Sequence, residues 1–332
     1  MSVLRKRRGE LLVGWLVAVF CVCGCTRDPG ELPPEQEVSE SVWASSLTAS
    51  SRDNRAADQP LSVVATYSIL GDWVQRIGGE RVRLTVLVGP EGDAHTYEPT
   101  PRDSVALAEA DIVFENGLGF EVWLDRLFQA SGSTAKRVVV TESIKPRELV
   151  VAGSRIEIDP HVWHLPVNAR LMVEAITSAL EEKSPESSAG FRLRQKAYVA
   201  QLDELDRWIS QEALSIPDSR RKLVTTHDTF GYLADAYDFE VISVLGSVSS
   251  ESSDPSAGEM AKVIARIRNL KIPAIFAENI LNPKLTRRIA AEAGVKLVPT
   301  LYTDALGQAD SPGSDYLQMM RFNVRTIAEA LR

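Results

Sequence analysis

The segment Leu61–Gly79, LSVVATYSILGDWVQRIGG, decides the fold class. Its first seven residues form a nearly unbroken apolar run, the pattern of a strand buried on both faces. The remainder, ILGDWVQRIGG, is an amphipathic helix with a glycine stop. The alternation continues outward from there. RVRLTVLV reads as a second strand, PRDSVALAEA as a helix, ADIVFENG as a third strand ending in a glycine turn, and GFEVWLDRLFQAS as a helix. KRVVVTES and SRIEIDPH supply further strand candidates. The second half repeats the pattern with strands in RKLVTTHDTF, FEVISVLG, IPAIFAEN and VKLVPTLY, separated by helices over GEMAKVIARIRNL and PKLTRRIAAEAG and closed by one over SDYLQMMRFNVRTIAEAL. The expected class is therefore α/β: two lobes, each a parallel-rich sheet covered by helices.

Between the two units lie two helices. The first covers Asn168–Lys183 and breaks near SPESS. The second begins near Ala189 and runs towards Glu212, with Phe191, Tyr198, Leu202, Leu205 and Ile209 on one apolar stripe. A helix of about 22 residues spans about 33 Å, enough to run along the back of both units. Such a connector is expected to act as one long rigid helix that resists a large hinge.

Ahead of Leu61 the texture differs. Arg5, Lys6, Arg7 and Arg8 precede the short apolar run LLVGWLVAVF, and VCGC closes the segment at Cys25. This is the layout of an export signal and is too short for a membrane span. VCGC resembles the processing and lipidation site of bacterial lipoproteins, which implies cleavage after residue 24 and a lipid on Cys25. All three cysteines lie at or before that position, so the folded body is expected to have neither a disulfide nor a thiolate ligand. Thr26–Pro60 is rich in Ser, Glu, Pro and Asp and reads as a tether. The expected division is thus 1–24 signal, 25–60 tether, 61–186 first lobe, 187–214 connecting helix and 215–332 second lobe. The first 24 residues carry +3, leaving −11 on the rest against −8 for the whole chain. That balance disfavours nucleic acid and does not repel cations.

The chain has four histidines. His95 lies in GPEGDAHTYEP after a strand, His161 ends SRIEI through DPH, and His227 ends KLVTT. Asp304, in LVPTLYTDALG, also follows a strand. In open α/β sheets ligands bind beyond the carboxyl ends of strands, so these four side chains can converge in a cleft between the lobes. Three imidazoles and a carboxylate form an N/O shell for Zn²⁺, with Mn²⁺ or Fe²⁺ as alternatives. The competing reading, scattered capping or surface histidines, fits any one of them taken alone. A metal-dependent hydrolase using Glu98 or Asp228 as base is a second alternative. It lacks HExxH, G-x-S-x-G and any phosphate-binding glycine loop, and a fourth protein ligand would fill the position of the reactive water. The fourth histidine, His164, falls in EIDPHVWHLP three positions after His161. No helix is expected between Pro160 and Pro166, so that spacing alone does not place the two rings together.

The ordered set GDAHTYEPTP, IDPHVWHLP, VTTHDTFGYLADAY, SSESSDPSAGEMAKVI, IFAENILNPKLTRRIAAEAG, LYTDALG and DYLQMMRFNV resembles the metal-binding lipoproteins of bacterial ABC importers, the cluster A-I solute-binding proteins. The likeness covers about Leu61–Leu331. It implies an ion held between two lobes by His95 and His161 from the first and His227 and Asp304 from the second. It also implies an ABC permease partner, a monomer, and a lipid-anchored place on the periplasmic or extracytoplasmic face of a membrane. In DPHxW the ligand position is the first histidine; His164 stands where many relatives carry an apolar residue, and packing or a supporting hydrogen bond is expected of it. Many manganese-type members place glutamate where this chain has His227, which leans towards zinc. Many zinc members carry a long histidine-rich loop, whereas Ser143–Glu157 is short and has none. Asp93, Asp159, Asp228 and Glu278 are candidates to hydrogen-bond the ligand imidazoles, and Trp163 is expected to pack the lobes. Some relatives are described as adhesins, so an adhesin or structural lipoprotein stands as a further alternative.

Overall fold

The computed structural model describes residues 59–151, 155–251 and 255–332. The export segment, Cys25 and almost all of the expected tether lie outside them. No helix among the described residues is long and apolar enough to cross a membrane.

The first lobe begins as the opening segment predicts, with strand β1 (Leu61–Tyr67) running directly into helix α1 (Ser68–Gly78). Gly79 ends the helix at φ 58°, a conformation that costs glycine little. β2 (Val82–Val88), α2 (Pro101–Glu109), β3 (Ile112–Glu115), α3 (Leu124–Ser131) and β4 (Lys136–Val139) follow. The four strands form one parallel sheet in the order β2-β1-β3-β4. α1 lies close over this sheet because Gly71 has no side chain: a Cβ there would sit 2.6 Å from Cγ2 of Val86.

The chain then makes β5 (Arg147–Val151) and β6 (Arg155–Asp159), paired antiparallel with Arg147 opposite Asp159. The strand expected in SRIEI is present, and its antiparallel partner RELVV is one the sequence reading leaves unassigned. The hairpin needs no crossover helix, and Val150 and Ile156 on it are exposed, so its alternation is not that of a buried parallel strand. Helices α4 (Pro166–Lys183) and α5 (Ser188–Leu214) come next.

The second lobe contains β7 (Lys222–Thr225), α6 (Gly231–Tyr237), β8 (Glu240–Ser243), α7 (Ala257–Asn269), β9 (Ala274–Glu278), α8 (Lys284–Ala293), β10 (Lys296–Leu301) and α9 (Tyr316–Leu331). β7 pairs with β8 and β9 with β10, both in parallel. α7 starts with a capping box in which Ser256 and Glu259 satisfy each other's backbone N–H groups.

The period-two logic of buried strands is visible residue by residue. Leu61, Val63, Ala65 and Tyr67 face the main core, while Val64 faces a smaller cluster with Leu87, Leu107 and Leu124. In the second lobe Leu223 and Phe276 join the main core, and Val224 and Ile275 join an outer cluster. The main core therefore runs through both lobes without a break and includes the stripe Phe191, Tyr198, Leu202, Leu205 and Ile209 of α5. α5 has 27 residues, about 40 Å at 1.5 Å per residue, longer than the sequence stripe implied. It is tied to both lobes: Arg194 donates to the carbonyls of Ile77 and Gly78 at 2.6 and 3.0 Å, and Asp206 accepts from the Tyr237 hydroxyl at 2.6 Å. A continuous apolar core on a stapled helix resists wide opening of the lobes, because opening would expose that core.

Candidate metal centre

Each of the four expected residues sits just past the carboxyl end of a strand. His95 follows β2, His161 follows β6, His227 follows β7 and Asp304 follows β10. Their turns are built by neighbouring side chains. Asp93 Oδ1 accepts from the backbone N–H of His95 at 2.9 Å. Asp159 Oδ1 accepts from both the backbone N–H and Nδ1 of His161, at 3.0 and 2.7 Å. Glu278, at the end of β9, accepts from the backbone N–H groups of Thr226 and His227 through Oε1 and from His227 Nδ1 through Oε2, at 2.5, 3.1 and 2.5 Å.

With Nδ1 committed to a carboxylate, Nε2 is the ring nitrogen that His161 and His227 each turn inward. His161 Nε2 lies 3.3 Å from Nε2 of both His95 and His227. Asp304 Oδ2 is 3.2 Å from His227 Nε2 and 3.5 Å from His95 Nε2, and its Oδ1 is 3.6 Å from His161 Nε2. All four groups are buried, His95 at 5% exposure and the others at 0%. A tetrahedral shell with bonds of about 2.0–2.1 Å has edges of about 3.3–3.4 Å. The observed separations therefore enclose a space that a single Zn²⁺ or Mn²⁺ ion fits.

The electrostatics point the same way. Burial disfavours a charged His161, but Asp304 and Asp159 outweigh it and push the imidazole up to about 9. Burial opposes charge on His227 as well, and Glu278 and Asp304 raise it well above its ordinary value. Burial would raise Asp304, yet His227 and His161 hold it well below the usual carboxylate range. Facing lone pairs around a carboxylate in a dry interior call for positive charge at their centre, whether protons or a cation.

The chain matches the zinc-uptake complex component A periplasmic (ZnuA) family over residues 63–330. The chain belongs to this family. It is similar to the zinc-binding protein TroA of Treponema pallidum, 35% identical over 286 residues that cover 85% of this chain and 92% of TroA. The solved structure of TroA superposes with a TM-score of 0.76, covering 82% of this chain and 99% of that one. It is also similar to the manganese-binding lipoprotein MntA of Halalkalibacterium halodurans, 32% identical with 82% and 88% of the two chains covered. The iron-binding protein YfeA of Yersinia pestis is 30% identical, covering 85% and 90%. Members of this family are solute-binding components of ABC importers for divalent metals rather than enzymes, and this chain is one of them.

Of the supporting residues expected from sequence, Asp159 and Glu278 touch imidazoles. Asp93 does not: it caps the backbone of His95 and accepts from Thr96 and Ser250 hydroxyls at 3.1 and 2.7 Å. Asp228 does not either; it pairs with Arg147 at 3.5 Å. His164 is fully buried on a 3-10 turn, Val162–His164. A single 3-10 turn thus stands between Pro160 and Pro166, where no helix is expected from the sequence. The His164 ring packs on Phe230 and its Nε2 lies 3.2 Å from the Thr229 hydroxyl. Trp163 packs between His161 and Tyr67, and its Nε1 donates to the carbonyl of Thr303 at 2.9 Å, across the cleft.

Three features escaped the sequence reading. Phe120 packs edge-on against His95 at 4.7 Å between centroids. Glu121 beside it accepts from Thr66, Asn116 N–H and Gly117 N–H, and burial pushes its carboxyl up to about 7. Arg147 on β5 joins Asp159, Asp228 and Asp235, spanning the two lobes. GFE and RELVV carry no histidine or cysteine that would have marked them.

Proposed function

We propose that the protein captures a divalent transition-metal ion through His95, His161, His227 and Asp304, prefers zinc to manganese or iron, and hands the ion to an ABC permease. The observation that carries this reading is that five of the six ligand pairs lie 3.2–3.6 Å apart, and all four ligand atoms within 4.8 Å of one another, around inward-facing Nε2 atoms and a carboxylate. Three imidazoles and one carboxylate suit four-coordinate zinc, whereas manganese takes more oxygen donors. TroA is named for zinc, MntA for manganese and YfeA for iron, so the preference is argued from the donor set of this chain.

Full enclosure makes the complex tight, and release then requires the permease to favour a form in which the shell is broken. The Asp304 loop is the natural place. It is held to the first lobe by Trp163 Nε1 on Thr303 O, by Ser68 Oγ accepting from Leu306 N–H at 2.9 Å, and by Glu91 N–H on Leu306 O at 2.8 Å. We further infer a lobe division at 61–186 and 215–332 about the helix at 187–214, a cleaved signal at 1–24, a lipid on Cys25, a tether to residue 60, and action as a monomer at the extracytoplasmic face. Protein purified from its native compartment should contain zinc at about one ion per chain by elemental analysis, and the metal-stripped protein should prefer Zn²⁺ to Mn²⁺ in competition. Protein that binds neither ion refutes the reading; a preference for Mn²⁺ refutes the zinc assignment.

A further inference from the structure

The two oxygens of Asp304 have different surroundings. Oδ2 faces His227 and His95 and receives no hydrogen bond from the described residues. Oδ1 lies farther from the imidazoles, 3.6 Å from His161 Nε2, and accepts from the Thr229 hydroxyl at 3.2 Å. That hydroxyl has one proton, and a carboxylate can only accept, so the proton goes to Asp304. His164 Nε2 lies 3.2 Å from the same hydroxyl oxygen and must therefore donate to it. The opposite tautomer would place an N–H on His164 Nδ1, which has no partner in its buried position. Ring contacts with Phe230 at 4.4 Å and Trp163 at 5.8 Å hold the imidazole in this orientation. His164, Thr229 and Asp304 are all at 0% exposure.

We propose that His164 and Thr229 are positioning residues for metal selectivity: their hydrogen-bond relay occupies Oδ1 of Asp304, leaves Oδ2 as the single oxygen ligand, and so biases the site towards four-coordinate zinc. The inference rests on the metal-capture reading above. A carboxylate relieved of the relay can chelate through both oxygens, which adds the fifth donor that manganese accepts and tetrahedral zinc does not require. The ion never touches His164 or Thr229; their effect passes through the orientation of Asp304.

The test uses the metal-stripped full chain with Zn²⁺, Mn²⁺ and Co²⁺ as probes. Thr229→Val removes the hydroxyl at nearly constant volume, and the double variant His164→Leu/Thr229→Val also removes the N–H that would be left unpaired. Supporting hydrogen bonds around metal ligands are typically worth 10–100-fold in affinity, so the ratio of Zn²⁺ to Mn²⁺ affinity should fall about tenfold or more in both variants. The visible bands of the Co²⁺ form should weaken as coordination rises from four. Thr229→Ser, which keeps the hydroxyl, should retain the wild-type ratio and spectrum. Should Thr229→Val not fold, Thr229→Ala, which also removes the hydroxyl that reaches Oδ1, should lower the ratio in its place. Folded variants that bind both ions with an unchanged ratio and Co²⁺ spectrum overturn the relay while leaving metal capture intact. A wild-type chain that binds none of the three ions overturns the capture reading itself.

Discussion

Replacing Glu278 by glutamine keeps its shape and tests whether the tautomer of His227 is set from behind. In the native chain one carboxylate serves three donors: the backbone N–H groups of Thr226 and His227 on Oε1 and the imidazole Nδ1–H on Oε2. All are buried, Glu278 itself at 3% exposure. Glutamine has only one acceptor oxygen and one NH₂. If its oxygen stays on the two backbone amides, the NH₂ points at Nδ1, which must then accept. The imidazole proton moves to Nε2, and the lone pair that would hold the ion is lost. If the amide flips, the NH₂ confronts two backbone donors. Either arrangement costs a buried hydrogen bond, and the first also removes a ligand. The expected loss in Zn²⁺ affinity is about 10–100-fold, equivalent to about 1.4–2.7 kcal/mol. Competition against a chromophoric chelator at fixed pH measures it, with His227→Ala as the reference for complete loss of the ligand. A Glu278→Gln variant within twofold of wild type would refute the claim that Glu278 sets the tautomer.

Two further expectations concern pH and packing. Asp304 and Asp159 push His161 up to about 9, and Glu278 and Asp304 raise His227 well above its ordinary value, so both imidazoles favour the protonated form when no cation is present. Metal must displace those protons, so affinity should rise from pH 5.5 towards pH 9 with proton release seen by calorimetry in buffers of different ionisation heat. An affinity flat between pH 5.5 and 7.5 would refute it. The sign for stability of the metal-stripped protein is opposite: because the folded value of His161 exceeds the unfolded one, its contribution is complete below about pH 6.5 and is lost as pH rises through about 9. Gly71→Ala places a Cβ 2.6 Å from Val86 Cγ2, so it should destabilise by about 1–3 kcal/mol, read as a lower denaturation midpoint. An unchanged midpoint would show that α1 can move away from β2 at little cost.

Much of the centre was legible because the fold and the ligands obey the same rule. A strand that alternates correctly must end at the cleft, so reading β2, β7 and β10 in the sequence also placed His95, His227 and Asp304. His161 was placed for a partly different reason. Its strand belongs to the antiparallel hairpin β5–β6, and RELVV gives no strand signal because residues such as Val150 and Ile156 on that hairpin face solvent and it carries no buried-strand run. The helix α5 was visible as a stripe, but its first and last turns are polar or exposed, as at Leu214, and stripes do not mark such ends.

What sequence could not supply is the partner of each polar group. Asp93, Asp159, Asp228 and Glu278 are all carboxylates near ligand histidines in the chain or the fold, yet only Asp159 and Glu278 reach an Nδ1. The difference lies in competition for donors. Asp93 is claimed by a backbone N–H and two hydroxyls, and Asp228 by a guanidinium on β5. Thr229 and His164 present the same difficulty. They are 65 positions apart, neither carries the ligand motif, and each alone is an ordinary buried residue. Their meaning arises only when the 3-10 turn before α4 lays the imidazole against the loop after β7. The clustered residues can be read from strand ends together with the family motifs, because strand periodicity brings their loops to one edge of each sheet. In the proposed relay, selectivity lies one hydrogen bond further out, where the three-dimensional packing decides which oxygen of Asp304 is left to meet the ion.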